Sequence, residues 1–163
     1  MISSVSWTKA NEMSREPNNN YTILVLEDDA NDIVLLKRAL EKNEIRNPIQ
    51  VVPDGIEGIA YLQGTGKYGD RDKYPFPKVI IMDLKMPRLG GLEVLEFLKQ
   101  HAQFRVIPTL VLSSSSELTD VAKAYQFGAN SYMVKPTNFE DLQALVKLVH
   151  EYWTRALKPL WRG

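Results

Sequence analysis

From Tyr21 onward the chain alternates between short apolar runs rich in Val, Ile and Leu and longer segments whose apolar residues recur at helical spacing. Runs of four or five residues, apolar throughout, are what strands covered on both faces require. Their regular alternation with amphipathic helices reads as successive βαβ units. The pattern predicts strands over 22–26, 49–52, 79–82, 109–112 and 131–134, and helices over 32–42, 55–62, 91–100, 119–127 and 139–153. Five strands with five helices predict an α/β fold: a five-stranded parallel sheet with helices on both faces, joined by right-handed crossovers. The segment 63–77, QGTGKYGDRDKYPFP, has three Gly, two Pro and five charged residues and reads as a long surface loop.

A chain of 163 residues is one ordinary domain, and folding at this size buries roughly 70% of the unfolded surface, so no metal or disulfide staple is needed. The absence of Cys excludes a disulfide framework, a thiolate metal site and a cysteine nucleophile. The 20 basic and 20 acidic residues cancel, which leaves no bulk attraction to nucleic acid or to an anionic membrane. No apolar stretch approaches the length of a membrane span. Residues 1–20 are polar, mix both charge signs and lack the apolar core of a secretory signal. The expected organisation is a flexible arm over 1–20, a domain over 21–153 and a tail over 154–163, in a cytoplasmic protein.

In an open parallel sheet, ligands bind beyond the carboxyl ends of the strands. Here those ends carry Glu27, Asp28 and Asp29 after the first strand, Asp83 after the third, Ser113 and Ser114 after the fourth, and Lys135 and Pro136 after the fifth. Asp and Ser at strand ends also serve as helix caps and turn residues. Four such groups falling together at strand carboxyl ends argue for a site. Glu27, Asp28 and Asp83 sum to −3, and like charges about 4 Å apart cost about 4 kcal/mol per pair near a protein surface. Lys135 cancels one unit and a divalent cation the other two; an all-oxygen pocket suits Mg²⁺, with Mn²⁺ next. A cation, a lysine and a hydroxyl gathered round one carboxylate are the groups that stabilise a phosphoryl group in transfer, with Asp83 as the nucleophile.

The runs ILVLEDDAND, VIIMDLKMPRLGG, TLVLSSSSE and SYMVKPTNFEDL resemble, in order and spacing, the signature segments of two-component response regulator receiver domains. The resemblance spans about 21–153. It implies a flavodoxin-like (CheY-like) sheet of order 2-1-3-4-5, and phosphorylation of Asp83 by a kinase phosphohistidine. Asp28 would ligate Mg²⁺ directly, Glu27 through water, and the Lys85 backbone carbonyl would complete the protein ligands. Lys135 would contact the phosphoryl oxygens and Ser113 would swing in to hydrogen-bond them. Tyr132 would be the aromatic that turns inward with Ser113, and Pro136 would follow a cis peptide. Glu27 stands for the commoner Asp and Ser113 for the commoner Thr, each keeping the needed oxygen. Gly90 precedes Gly91 where an acidic residue or Asn is usual, and Lys85 and Ser115 occupy positions that tune acyl-phosphate lifetime.

Other signals are weaker. The sequence 64–69 is a literal G-x-G-x-x-G, but a dinucleotide fingerprint leaves a strand and opens a helix, whereas this one leaves a predicted helix. The serine run 113–116 lacks a nucleophile elbow. His101 and His150 have no metal-ligand spacing. A Mg-dependent aspartyl-phosphate hydrolase would carry a second Asp two residues after the nucleophile, where Lys85 stands. A flavodoxin would carry a hydroxyl- and Gly-rich loop after its first strand, where acidic residues stand.

The last predicted helix has one apolar row at Leu142, Leu145, Val146, Val149 and Trp153, and a second at Ala144, Leu148 and Tyr152. One helix on one sheet needs only the first. Leu148 and Tyr152 are therefore candidates for a homodimer interface. This helix, the tail and the 63–77 insertion resemble the small regulators that partner bacterial, especially cyanobacterial, phytochrome kinases. That implies a sensor histidine kinase, a phytochrome, as donor and output through changed protein contacts. The alternative is a phosphorelay intermediate serving a non-phytochrome kinase. No basic stripe or recognition helix suggests direct nucleic-acid contact.

Overall fold

The computed structural model describes residues 20–155. The expected arm, Asn20 apart, and the end of the expected tail, including Trp161, lie outside the described residues. Five strands, β1 (Ile23–Leu26), β2 (Ile49–Val52), β3 (Val79–Met82), β4 (Thr109–Ser113) and β5 (Ser131–Val134), form one sheet in the order 2-1-3-4-5. Every pairing is parallel. The helices are α1 (Ala30–Lys42), α2 (Gly55–Gln63), α3 (Gly91–Gln100), α4 (Leu118–Gln126) and α5 (Phe139–Arg155).

Side chains leave the strands alternately to either face, and this period of two divides the core. Leu24, Leu26, Ile80, Met82 and Val111 point to one layer, where they meet Tyr61 and Leu62 of α2, Val94, Leu95 and Leu98 of α3, and Ala124 of α4. Ile23, Val25, Val79, Ile81 and Leu112 point to the other, against Leu36, Ala39 and Leu40 of α1 and Leu142 and Val146 of α5. Full burial of each such side chain contributes about 1.5–3 kcal/mol, so both layers resist slippage of any strand.

Element boundaries depart from the sequence expectation by a residue or two, for identifiable reasons. α1 begins at Ala30 rather than residue 32 because the Asp29 carboxylate caps it, accepting from the Asp32 amide at 2.9 Å. β4 runs on through Ser113, whose carbonyl accepts from the Lys135 amide at 2.8 Å. β5 is the sheet edge and is only partly covered. There the Tyr125 hydroxyl accepts from the Tyr132 amide at 3.0 Å, satisfying a donor that no strand pairs.

The 63–77 insertion is a packed unit and not merely surface loop. α2 ends at Gly64, whose left-handed φ of 67° lets the chain turn back while the Gly64 and Thr65 amides bond the carbonyls of Tyr61 and Ala60. A 3₁₀ turn over Gly66–Gly69 buries Tyr68 between Tyr61 and Tyr74. Arg71 donates to the carbonyls of Tyr61 and Leu62 at 2.8 Å each, capping the helix end that a loop of small residues leaves open. The Tyr61 hydroxyl donates to the Pro75 carbonyl at 2.7 Å, and burial pushes its pKa up to about 12. The G-x-G-x-x-G glycines therefore serve a helix stop and a turn.

Asp54 ties α2 to the loop after β3. Its carboxylate caps α2 by accepting from the Glu57 amide at 2.9 Å, and it accepts from Arg88 Nε at 2.8 Å. Burial alone would raise the Asp54 pKa, but these two hydrogen bonds outweigh it and hold the carboxyl below its ordinary value. Asp54→Ala will lose about 1 kcal/mol of stability through loss of the cap, with little added by the exposed Arg88. A folded-state pKa below the unfolded one stabilises the fold above the unfolded value and ceases to do so as pH falls through the folded one. Urea melts should therefore show the gap between native and Asp54→Ala chains narrowing as pH falls below about 4.

In α5, Leu142 and Val146 are buried, Leu145 and Trp153 pack beside them, and Val149 is half-buried. Leu148 and Tyr152 stay 61% and 69% exposed, one turn apart, so the second apolar row does face outward. No helix among the described residues is long and apolar enough to cross a membrane.

Candidate functional site

The parallel ladder brings four sequence-distant groups to one sheet edge. Leu26 and Met82 are register partners, so Glu27 and Asp83 leave adjacent strands side by side. Their amides extend the ladder, Glu27 to the Val52 carbonyl and Asp83 to the Leu26 carbonyl, each at 3.0 Å. Lys135 is fixed in turn by the hydrogen bond its backbone amide donates to the Ser113 carbonyl. Gly91 permits this closeness, because a Cβ there would lie 2.5 Å from the Asp83 carbonyl oxygen.

The Lys135 ammonium is the hub. It donates to Glu27 Oε2 at 2.8 Å, Asp83 Oδ2 at 2.9 Å and Asp32 Oδ2 at 2.8 Å. Burial disfavours its charge, but the bonds to Asp32, Glu27 and Asp83 more than compensate, and Lys135 is held well above the usual lysine range. Glu27 is also raised, which for an acid disfavours the charged form. Burial raises its pKa and the Asp83 charge adds to the effect, while Lys135 and the Asp29 amide only partly oppose them. An acid whose charged form burial disfavours is one that a bound cation would stabilise.

Glu27, Asp28 and Asp83 each offer a carboxylate oxygen, all within 4.8 Å of one another, with Asp28 exposed and the other two buried. Three hard oxygen donors open to solvent on one side fit a small divalent cation that keeps several waters. Counting Asp32, the site carries four negative charges against one positive. The residual charge is −3, one unit more acidic than the strand-end residues alone suggest.

The remaining expected residues surround this centre. Ser113 is fully buried at the end of β4, its Oγ accepting from the Ser115 amide at 3.3 Å. The Tyr132 hydroxyl donates to the Ser115 carbonyl at 2.6 Å, so Tyr132 and Ser113 meet on the same short loop. Ser115 Oγ donates to Asp120 at 2.6 Å, linking that loop to the first turn of α4. Lys85 is exposed and its amide lies 3.4 Å from Asp83 Oδ1. The bond before Pro136 is trans, since no peptide is cis among the described residues. That corrects the expected cis bond; even before proline, trans is the lower-energy form by about 0.5–1 kcal/mol.

Asp32 is the site residue that sequence reading passed over. It looks like an ordinary first-turn acid, favourable at a helix N-terminus for its charge alone. Its place in the first turn of the helix that directly follows the acidic run 27–29 was the available signal, because the first turn stays close to the strand end from which the chain enters it.

Comparison with known proteins finds similar chains. The model of the response regulator receiver domain matches residues 23–147. Response regulator Rcp1 of a Synechocystis strain is 33% identical over 141 residues, covering 86% of this chain and 94% of that protein. The Mn²⁺-bound structure of Rcp1 superposes with a TM-score of 0.77 at 31% identity, covering 86% of this chain and 99% of that one. The phosphorylated cyanobacterial phytochrome response regulator RcpA gives a TM-score of 0.80 at 32% identity, with the same two coverages. The regulator RPA3017, from red light signalling of R. palustris, gives 0.82 at 31%, again over 86% and 99%.

Proposed function

Because this chain belongs to the response regulator receiver domain family, we propose that Asp83 accepts a phosphoryl group from a sensor histidine kinase, and that the modified chain signals by changed protein contacts. The observation that carries the assignment is the Lys135 ammonium, 2.9 Å from Asp83 beside three carboxylates that converge within 4.8 Å. The kinase is a phytochrome on this reading, because RcpA is a phytochrome response regulator and RPA3017 works in red light signalling. The chain acts in the cytoplasm.

An Asp83 carboxylate oxygen attacks phosphorus. The new O–P bond forms as the bond from phosphorus to the donor breaks, and the donor nitrogen or oxygen leaves with the electron pair. Lys135 and Ser113 stabilise the charge spread over the three equatorial oxygens. Glu27, Asp28, Asp83 and the Lys85 carbonyl would hold Mg²⁺, with Mn²⁺ as substitute; the ion would supply charge neutralisation between acceptor and phosphoryl group. Tyr132 and Ser113 report the modification outward through the loop they share. The phosphoryl group leaves by hydrolysis that the chain itself assists, which makes it a signalling protein and not an enzyme with a turnover substrate.

Incubation with acetyl phosphate and Mg²⁺ should add one phosphate mass to the intact chain, and EDTA should prevent it. No adduct at saturating Mg²⁺, with either acetyl phosphate or a phosphorylated phytochrome kinase as donor, would refute the assignment. Transfer from unrelated kinases but not from phytochromes would favour the relay intermediate.

Leu148 and Tyr152 form the centre of a two-fold homodimer through α5 on this reading. An outward apolar pair one turn apart, which the sheet does not use, supports it. Leu148→Asp should shift the chain to monomer in sedimentation velocity while leaving its far-UV circular dichroism native, since the side chain is 61% exposed and not part of the core. A native chain that already sediments as a monomer, phosphorylated or not, would dismiss the interface.

A further inference from the structure

An ammonium has three protons, and in this structure all three of Lys135 are committed, to Glu27, Asp83 and Asp32. Contact between Lys135 and a phosphoryl oxygen therefore requires that one of these bonds be given up. Glu27 is buried, with its side chain 8% exposed, and would be left as an unpaired acid. Asp83 is the acceptor itself. Asp32 differs from both: its side chain is 37% exposed, so water can replace the lysine, and it is not among the three acids that converge within 4.8 Å.

We propose that Asp32 is a latch on Lys135, a positioning residue that holds the ammonium over Asp83 in the unmodified chain and competes with the incoming phosphoryl group for it. On transfer, Lys135 exchanges Asp32 for a phosphoryl oxygen, and on hydrolysis the exchange reverses. The bond to Asp32 thus opposes occupancy of the site and sets how readily it is filled.

This rests on the phosphoacceptor reading above. The test compares native, Asp32→Asn and Asp29→Asn chains, the last losing the same charge from the same helix end while keeping a capping oxygen, and lying outside the hydrogen bonds of Lys135. Two quantities are read: the rate of labelling by acetyl phosphate with Mg²⁺, by intact mass, and the affinity for beryllofluoride with Mg²⁺, by tryptophan fluorescence. Asp32→Asn should raise both about fivefold, the size expected for a partly exposed ion pair, with Asp29→Asn near native and Mg²⁺ affinity no weaker in one variant than in the other. An Asp32→Asn chain that labels no faster than native, or an Asp29→Asn chain that gains as much, overturns the latch and leaves the phosphoacceptor reading standing. A native chain that takes up no phosphate overturns that reading, and the latch with it.

Discussion

Asp83→Asn will take up no phosphate from acetyl phosphate at any Mg²⁺ concentration, yet will unfold no more easily than the native chain. Loss of the nucleophilic oxygen explains the first result, since Glu27, the other carboxylate that meets both Lys135 and the cation position, serves as a ligand on this reading and not as the acceptor. The second follows from charge. Three carboxylates contact one ammonium and Asp28 stands beside two of them, so removing a negative charge relieves repulsion, while the amide oxygen of Asn can still accept from Lys135. Stability traded for chemistry in this way is expected at a functional site. Intact mass and thermal melts in EDTA test both halves. A residual adduct at more than a few per cent of the native yield would place the acceptor elsewhere. A melting temperature several degrees below native would mean that Asp83 is a structural ion-pair partner first.

Lys135→Ala should show the opposite balance. Its side chain is 16% exposed and joins two carboxylates that are under 10% exposed, so its removal leaves buried charges unpaired. Breaking a buried pair in this way costs about 3 kcal/mol or more. In EDTA the variant should lose stability of that order by urea denaturation. Adding Mg²⁺ should restore much of it, because a cation that binds the folded chain stabilises it in proportion to its affinity, and the variant has one more unit of charge to neutralise. The Mg²⁺-dependent gain should therefore exceed that of the native chain. Equal gains would mean that Lys135 and the cation do not share the same carboxylates.

Much of the fold is legible along the chain because its causes are local. The strands over 49–52, 79–82 and 131–134 and the helix over 91–100 coincide with the structure residue for residue, since a run of branched apolar residues bounded by turn formers has few other ways to be buried. The candidate acids and the lysine were legible for the same reason, because each directly follows a recognisable strand. Other features were not. The 63–77 segment has the composition of a loop, and only the packed fold shows Tyr68 buried against Tyr61 and Tyr74, with Arg71 reaching back to cap α2. Asp32 carries the signature of a helix start, which it is, and its second role depends on a lysine more than a hundred residues away.

The division follows from range. Which segments become strands and helices, which face of each is apolar and which residues stand at the strand ends can all be read along the chain, because they depend on periods of 2 and 3.6 residues and on neighbours within one turn. Tertiary structure alone decided that Lys135 spends its three protons on Glu27, Asp83 and Asp32, that Tyr132 meets the Ser115 carbonyl, and that Leu148 and Tyr152 are left facing out. Those outcomes require the strand order 2-1-3-4-5 and its register, which bring residues from opposite ends of the chain within 3 Å, a distance no local pattern encodes.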